Sequence, residues 1–193
     1  MAEKLINQSK HPNSGFYLNE LENLHTTLAE LEQQQQKTLL IGVTFALLDF
    51  AEKYPMPLLH TTIMETGGMK GRRKEMTRQE VHAILTEHFQ VPLIYSEYGM
   101  TELLSQGYSK GGGIFNCPPW MKILIRAEDD PLCVIQSQSA IINGAINVID
   151  FANIYSCSFI ATEDAGKLYP DGSFEIAGRL DYTDIRGCSL LAL

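Results

Sequence analysis

Apolar positions along this chain follow two different patterns, and the change between them divides it. Leu21, Leu24, Leu28 and Leu31 fall at helical spacing behind Asn19 and Glu22, which read as an N-cap and its capping partner. Residues 39–45, apolar apart from Gly42 and Thr44, read as a buried strand. A short helix over about 46–53 follows and stops before Pro55. Residues 58–64 read as a second strand, and 65–74 as a glycine-rich, basic loop. Thr77 and Glu80 form a capping box that opens a helix running to about Phe89. A third apolar run, 91–94, reads as another buried strand. This succession of strands and helices is a parallel α/β pattern. Residues 1–17 read as polar and irregular.

After Gly111-Gly112-Gly113 the helical period disappears. Short strands are predicted at 121–125, 132–135, 145–149 and 158–162. Tyr169-Pro170-Asp171-Gly172 is a hairpin turn, since proline presets one dihedral and Asp-Gly tolerates positive φ. Residues 173–177 return as its partner strand. The fold class is therefore α/β: a parallel α/β portion over 1–110, then a mostly β portion over 111–193, a small sheet or distorted barrel.

Composition narrows the classes of function. The 193 residues are 45 % hydrophobic, enough for one globular domain with its own core. A net charge of −8 and a pI near 5.1 argue against nucleic acid as the main partner, because phosphate contacts need a basic face. No apolar run approaches the roughly 18 residues of a membrane span. The start, Met1-Ala2-Glu3-Lys4, lacks the apolar core of a signal peptide. Cys117, Cys133, Cys157 and Cys188 are scattered, without a CxxC pair. Together these features predict a cytoplasmic protein without a structural zinc site. The histidines, among them His82 and His88, form no ligand cluster and read as surface or satisfied core positions.

Four segments carry candidate chemistry. Tyr95-Ser96-Glu97-Tyr98-Gly99-Met100-Thr101-Glu102 offers a ring to stack a base at Tyr98 and close backbone approach at Gly99. It adds a hydroxyl for phosphate at Thr101 and a carboxylate for Mg²⁺ at Glu102. The same residues also read as an ordinary strand exit that caps a helix through Leu103 and Leu104. Gly67 and Gly68 let backbone approach a flat ligand, with Lys70, Arg72, Arg73 and Lys74 adding positive charge, or they form a solvated basic loop. The spacing is not that of a P-loop.

In Thr162-Glu163-Asp164-Ala165-Gly166, Asp164 leaves a strand and is suited to take ribose hydroxyls. Arg179, in Gly178-Arg179-Leu180-Asp181, is suited to fork onto phosphate or ribose oxygens. Taken singly, each of these also reads as a turn or a surface charge. Cys188, beside Arg186, reads as an activated thiol nucleophile or as a small buried hydrophobe.

In this order the segments resemble the later motifs of the adenylate-forming superfamily, which includes acyl-CoA synthetases and phenylacetate-CoA ligases. The longer strings Glu65-Thr66-Gly67-Gly68-Met69-Lys70-Gly71-Arg72, Ser96-Glu97-Tyr98-Gly99-Met100-Thr101-Glu102-Leu103 and Asp184-Ile185-Arg186-Gly187-Cys188 resemble the acyl-protein synthetase family, which includes the synthetase of bacterial luciferase operons.

The resemblance implies an enzyme that uses ATP to convert a carboxylic, especially fatty, acid into an acyl-adenylate and passes the acyl group to a protein thiol. It implies that Gly67 and Gly68 line the adenine and Tyr98 stacks on it. Thr101 would hold the α-phosphate, Glu102 the Mg²⁺, Asp164 the ribose hydroxyls, Arg179 the ribose or phosphate, and Cys188 would accept the acyl group. An acyl-CoA reductase-like protein is the implied partner.

Members of that family are roughly twice as long as one domain of this size. The expectation is that an N-terminal half, carrying the loop for the β- and γ-phosphates, is absent here, as is the lid with its catalytic lysine. The isolated chain is then expected to be inactive alone. Glu163 stands where many relatives have glycine. A truncated, inactive nucleotide-binding relative or interaction protein, and an acyl-CoA ligase, are the other readings.

Overall fold

Two units make up the chain, Met1–Tyr95 and Ser96–Leu193. The computed structural model describes residues 2–68, 73–74, 76–136 and 139–180. In the first unit, strands β1 (Thr38–Val43) and β2 (Thr61–Thr66) lie parallel, Thr38 opposite Thr61 and Val43 opposite Thr66. Helix α3 (Thr44–Lys53) begins on the residue after β1, earlier than the apolar spacing alone predicts. Helix α4 (Arg78–Phe89) opens with the predicted capping box: Thr77 N donates to Glu80 Oε2 at 2.7 Å, and Glu80 N donates to Thr77 Oγ1 at 3.2 Å. Helix α2 (Leu21–Gln33) starts from Glu20 with no side-chain cap, so Asn19 does not play that part. The first residues, predicted irregular, include helix α1 (Ala2–Ser9).

The apolar faces of α2, α3 and α4 meet β2 in one core that includes Leu28, Leu48, Phe50, Ile63, Leu85 and Phe89. Each large side chain buried there is worth about 1.5–3 kcal/mol. Glu32 on α2 accepts from His60 N at 2.9 Å and Thr61 Oγ1 at 2.6 Å, fixing the helix to the start of β2. The 91–94 run packs Val91 and Ile94 into this core but is not a strand. Pro92 has no N–H to give a ladder, and strand β3 (Tyr95–Tyr98) begins only after the run ends.

The second unit is antiparallel. Its strands are β3, β4 (Gly107–Ser109), β5 (Ile114–Asn116), β6 (Met121–Arg126), β7 (Val134–Ile135), β8 (Ile142–Asp150), β9 (Phe159–Leu168) and β10 (Phe174–Arg179). Their order across the sheet is β3-β4-β5-β10-β9-β8-β6-β7, which does not close on itself as a barrel. The Tyr169–Gly172 turn joins β9 to β10 as predicted, with Gly172 N donating to Tyr169 O at 3.0 Å.

Although open, this sheet is strongly curled. On a flat sheet the four steps from β3 to β9, each about 4.8 Å, would hold Tyr98 and Asp164 roughly 19 Å apart. Yet Tyr98 Oη donates to Asp164 Oδ2 at 2.7 Å. The concave face is filled by Tyr98, Phe115, Phe174, Ile146 and Val148. Phe115 and Phe174 stack at 5.4 Å, and the Tyr98 ring meets both edge-on.

A buried carboxylate closes one end of the curled sheet. Asp150, at the last residue of β8, has no exposed surface. Its Oδ2 accepts from Leu104 N and Ser105 N, both at 2.9 Å. Its Oδ1 accepts from Ser105 Oγ at 2.7 Å and Ala152 N at 3.0 Å. Burial alone raises the pKa of such a group, but these hydrogen bonds outweigh it and hold the carboxyl below its ordinary value.

A carboxyl with a lower pKa folded than unfolded stabilises the fold above the unfolded value and loses that contribution as pH falls through the folded one. Stability should therefore decline as pH falls below the ordinary aspartate value of 3.8. Asp150→Asn should lower stability at neutral pH by roughly 2–4 kcal/mol in urea unfolding, because its amide cannot accept from two of the four donors. The variant should also show a shallower acid decline than the unchanged protein.

Candidate functional site

The Thr162-Glu163-Asp164 segment owes its position to a bulge. Along the β8–β9 ladder Ala145 pairs with Ala165 but Asn147 pairs with Ala161, so β9 has extra residues opposite Ile146. A bulge leaves backbone groups without ladder partners and re-aims the side chains it carries. Here the Thr162 hydroxyl takes the place of the ladder: it donates to Ile146 O at 2.8 Å and accepts from Asp164 N at 3.1 Å. The buried guanidinium of Arg126 supports the same point, donating through Nη2 to Thr162 O at 3.1 Å.

The bulge turns Asp164 toward Tyr98. The Tyr98 ring is 9 % exposed, and burial, then the Asp164 charge, push its hydroxyl pKa well above the usual tyrosine value. The hydroxyl therefore stays protonated at neutral pH and remains a donor to Asp164. Among the described residues Asp164 Oδ1 accepts no hydrogen bond, which leaves one carboxylate oxygen as an acceptor. The Tyr98 ring packs edge-on against Phe115 and Phe174, and its hydroxyl holds Asp164 Oδ2.

Tyr98, Asp164 and Arg179 come together in the second unit, for Arg179 lies opposite Asp164 across the β9–β10 pair. The Arg179 guanidinium is exposed and pairs with Glu163 Oε2 at 2.6 Å. An exposed pair of this kind is weak and exchanges readily for another anion. Thr101 and Glu102 are the central residues of a turn closed by Leu103 N donating to Met100 O at 3.1 Å; this is a turn rather than the start of a helix. Both are exposed, and neither side chain has a partner among the described residues. A Cβ at Gly99 would meet Glu97 Oε1 at 2.5 Å, so a side chain there requires the end of Glu97 to shift.

Gly67 and Gly68 belong to the first unit. Gly67 takes φ of 76°, a conformation that glycine adopts without strain, and Gly68 has open space where a Cβ would stand. The strand before them carries buried Glu65 as its next-to-last residue; Thr44 Oγ1 lies 3.0 Å from Glu65 Oε2 and 2.6 Å from Gly67 O. Of the basic residues in that loop, Arg73 is paired with Asp49 and Glu52 of α3, while Lys70 and Arg72 lie outside the described residues. Cys188 lies outside them as well.

Three residues that hold the candidate site carry no motif in the sequence: Arg126, Asp150 and Asn153, whose side-chain amide donates to Glu102 O at 2.7 Å. Only Asp150 leaves a trace, as an aspartate ending an alternating apolar run just before Phe151-Ala152-Asn153.

No protein-family model and no curated protein matches the sequence. Solved structures do. ATP-bound MatB of Rhodopseudomonas palustris aligns over 82 % of this chain with a TM-score of 0.59 and 15 % identity. A benzoate CoA ligase of Burkholderia xenovorans LB400 aligns over 88 %, with a TM-score of 0.53 and 16 % identity. The O-succinylbenzoate coenzyme A synthetase MenE of Bacillus subtilis, in complex with AMP, aligns over 80 %, with a TM-score of 0.52 and 19 % identity. The alignments cover 33 %, 37 % and 33 % of those chains respectively. No helix among the described residues is long and apolar enough to cross a membrane. Over about a third of their length, this chain shares the mixed α/β fold of adenylate-forming enzymes.

Proposed function

We propose that this chain binds the AMP part of the nucleotide in an ATP-dependent ligase that activates a carboxylic acid as its acyl-adenylate. The observation that carries the reading is the Tyr98–Asp164 hydrogen bond, which joins two sequence motifs 66 residues apart. It leaves one oxygen of a fixed carboxylate to accept the ribose hydroxyls. Arg179 exchanges Glu163 for a phosphate or ribose oxygen. The Thr101 hydroxyl serves a phosphate oxygen.

Glu102 fits Mg²⁺ in the manner that ion prefers, one carboxylate completed by substrate phosphate and water. No group of three or more His, Cys, Asp or Glu able to hold a metal is found among the described residues. The ion would offset the phosphate charge on the leaving side of the reaction. On the sequence resemblance alone, Gly67 and Gly68 are proposed to line the adenine.

On the sequence strings around Gly67, Tyr98 and Cys188, the acyl group is proposed to be fatty and its acceptor a protein thiol, first Cys188 and then an acyl-CoA reductase-like partner. The names of two matched structures, a CoA ligase and a CoA synthetase, favour coenzyme A as the acceptor in a second reading. A further polypeptide segment is proposed to supply the contacts to the β- and γ-phosphates.

Calorimetric titration of the chain with AMP tests the first step. The chain should bind AMP and prefer it to 2′-deoxy-AMP. Asp164→Ala should weaken AMP binding by about 1.5–3 kcal/mol, roughly 10-fold to 100-fold, and abolish that preference. Absence of AMP binding by the unchanged chain would refute the reading. For the acceptor, labelled acyl group delivered from acyl-adenylate should remain on the protein and be lost in Cys188→Ser; equal labelling of that variant removes Cys188 from the reaction.

A further inference from the structure

The turn that presents Thr101 and Glu102 is held from beneath by residues outside every motif. Asn153 ends the 3₁₀ turn Phe151–Asn153 that follows β8, and only 7 % of it is exposed. Its amide nitrogen donates to Glu102 O at 2.7 Å and to Cys157 O at 2.9 Å, which uses both of its hydrogens. Asp150 takes the next two backbone amides of the turn's exit, Leu104 N and Ser105 N, and Leu103 is buried in the core between them. The carbonyl of Glu102 and the amides two and three residues later are thus fixed by one short stretch of chain.

Neither the Thr101 nor the Glu102 side chain makes a hydrogen bond or ion pair among the described residues. Among the described residues, only the backbone beneath them sets where they point. An exposed turn with unpartnered polar side chains belongs to the least stable part of a fold. Fixing it before ligand arrives removes an ordering cost that binding would otherwise bear. Residues that orient a metal-binding carboxylate without touching the metal typically change metal affinity 10-fold to 100-fold when replaced.

We infer that Asn153 is a positioning residue for the phosphate-facing end of the nucleotide site, placing the Glu102 carboxylate and the Thr101 hydroxyl through the Glu102 carbonyl. It touches no ligand itself. Its loss should leave the Asp164 end of the site, and hence AMP binding, nearly intact while removing the gain in ATP affinity that Mg²⁺ brings. This inference rests on the nucleotide reading above.

Titration with AMP, with ATP in chelator, and with ATP plus Mg²⁺ separates the two. In the unchanged chain Mg²⁺ should tighten ATP binding by about 10-fold or more, and in Asn153→Ala by less than about 2-fold, with AMP affinity within about 3-fold. Asn153→Gln, which keeps both donors, should recover part of the Mg²⁺ effect. Trp120, the one tryptophan, donates to Ser105 Oγ at 2.9 Å beside the same support, so its emission reports whether the turn stays in place. Should Asn153→Ala fail to fold, Asn153→Ser carries the same comparison with one donor left. A full Mg²⁺ effect in a folded Ala or Ser variant overturns the positioning role alone. An unchanged chain that binds no nucleotide overturns the function and this inference with it.

Discussion

The hydrogen bond from Tyr98 to Asp164 spans the concave face of the second unit's sheet, and most of what surrounds it follows from making that reach possible. Strands four places apart in the order meet only if the sheet curls, so Phe115, Phe174, Ile146 and Val148 must fill the hollow without filling the last few ångströms between the two polar groups. Asp164 must leave the regular ladder to face inward, which the β9 bulge provides. The bulge in turn needs Thr162 to satisfy Ile146 O and Asp164 N, and Arg126 to hold Thr162 O. A buried tyrosine and a half-buried carboxylate would each be costly alone, and together each satisfies the other.

The same curl brings the strand exit after β3 over the end of β8. Asp150 and Asn153 then hold the Thr101–Glu102 turn by its backbone and leave its side chains exposed. One end of the candidate site is thus set by a side-chain pair and the other by main-chain anchoring. The first suits recognition of a rigid ribose. The second suits a metal and phosphates, whose charge rather than shape decides the contact.

Features written in neighbouring residues were legible from sequence. The Thr77–Glu80 capping box is an i to i+3 pattern, and the Tyr169–Gly172 hairpin lies in four consecutive residues. Strands β1 and β2 and the β-rich second half follow from apolar runs and turn residues, with ends shifted by a few positions. Strands β4 and β5 span three residues each, too short to show a period, and flank the glycine triplet. Helix α1 is eight residues long and buries none of them, and its apolar positions Ala2, Leu5 and Ile6 make a stripe too short to mark a helix. Asn153 and Asp150 act on residues 51 and 45 positions away, and no local pattern encodes such a contact. The pairing of Arg179 with Glu163, 16 residues apart, is hidden for the same reason.

The account stands on Tyr98 and Asp164 acting as one unit, and a double-mutant cycle on AMP binding tests that most directly. Tyr98→Phe, Asp164→Asn and the double variant are each titrated with AMP. If the tyrosine works only by orienting the carboxylate, removing it should weaken binding while Asp164 is present and change little once Asp164 is gone. The predicted coupling is about 1 kcal/mol or more, within the range of contacting polar pairs. Additive losses, with coupling indistinguishable from zero, would mean that Tyr98 and Asp164 meet without serving a common site.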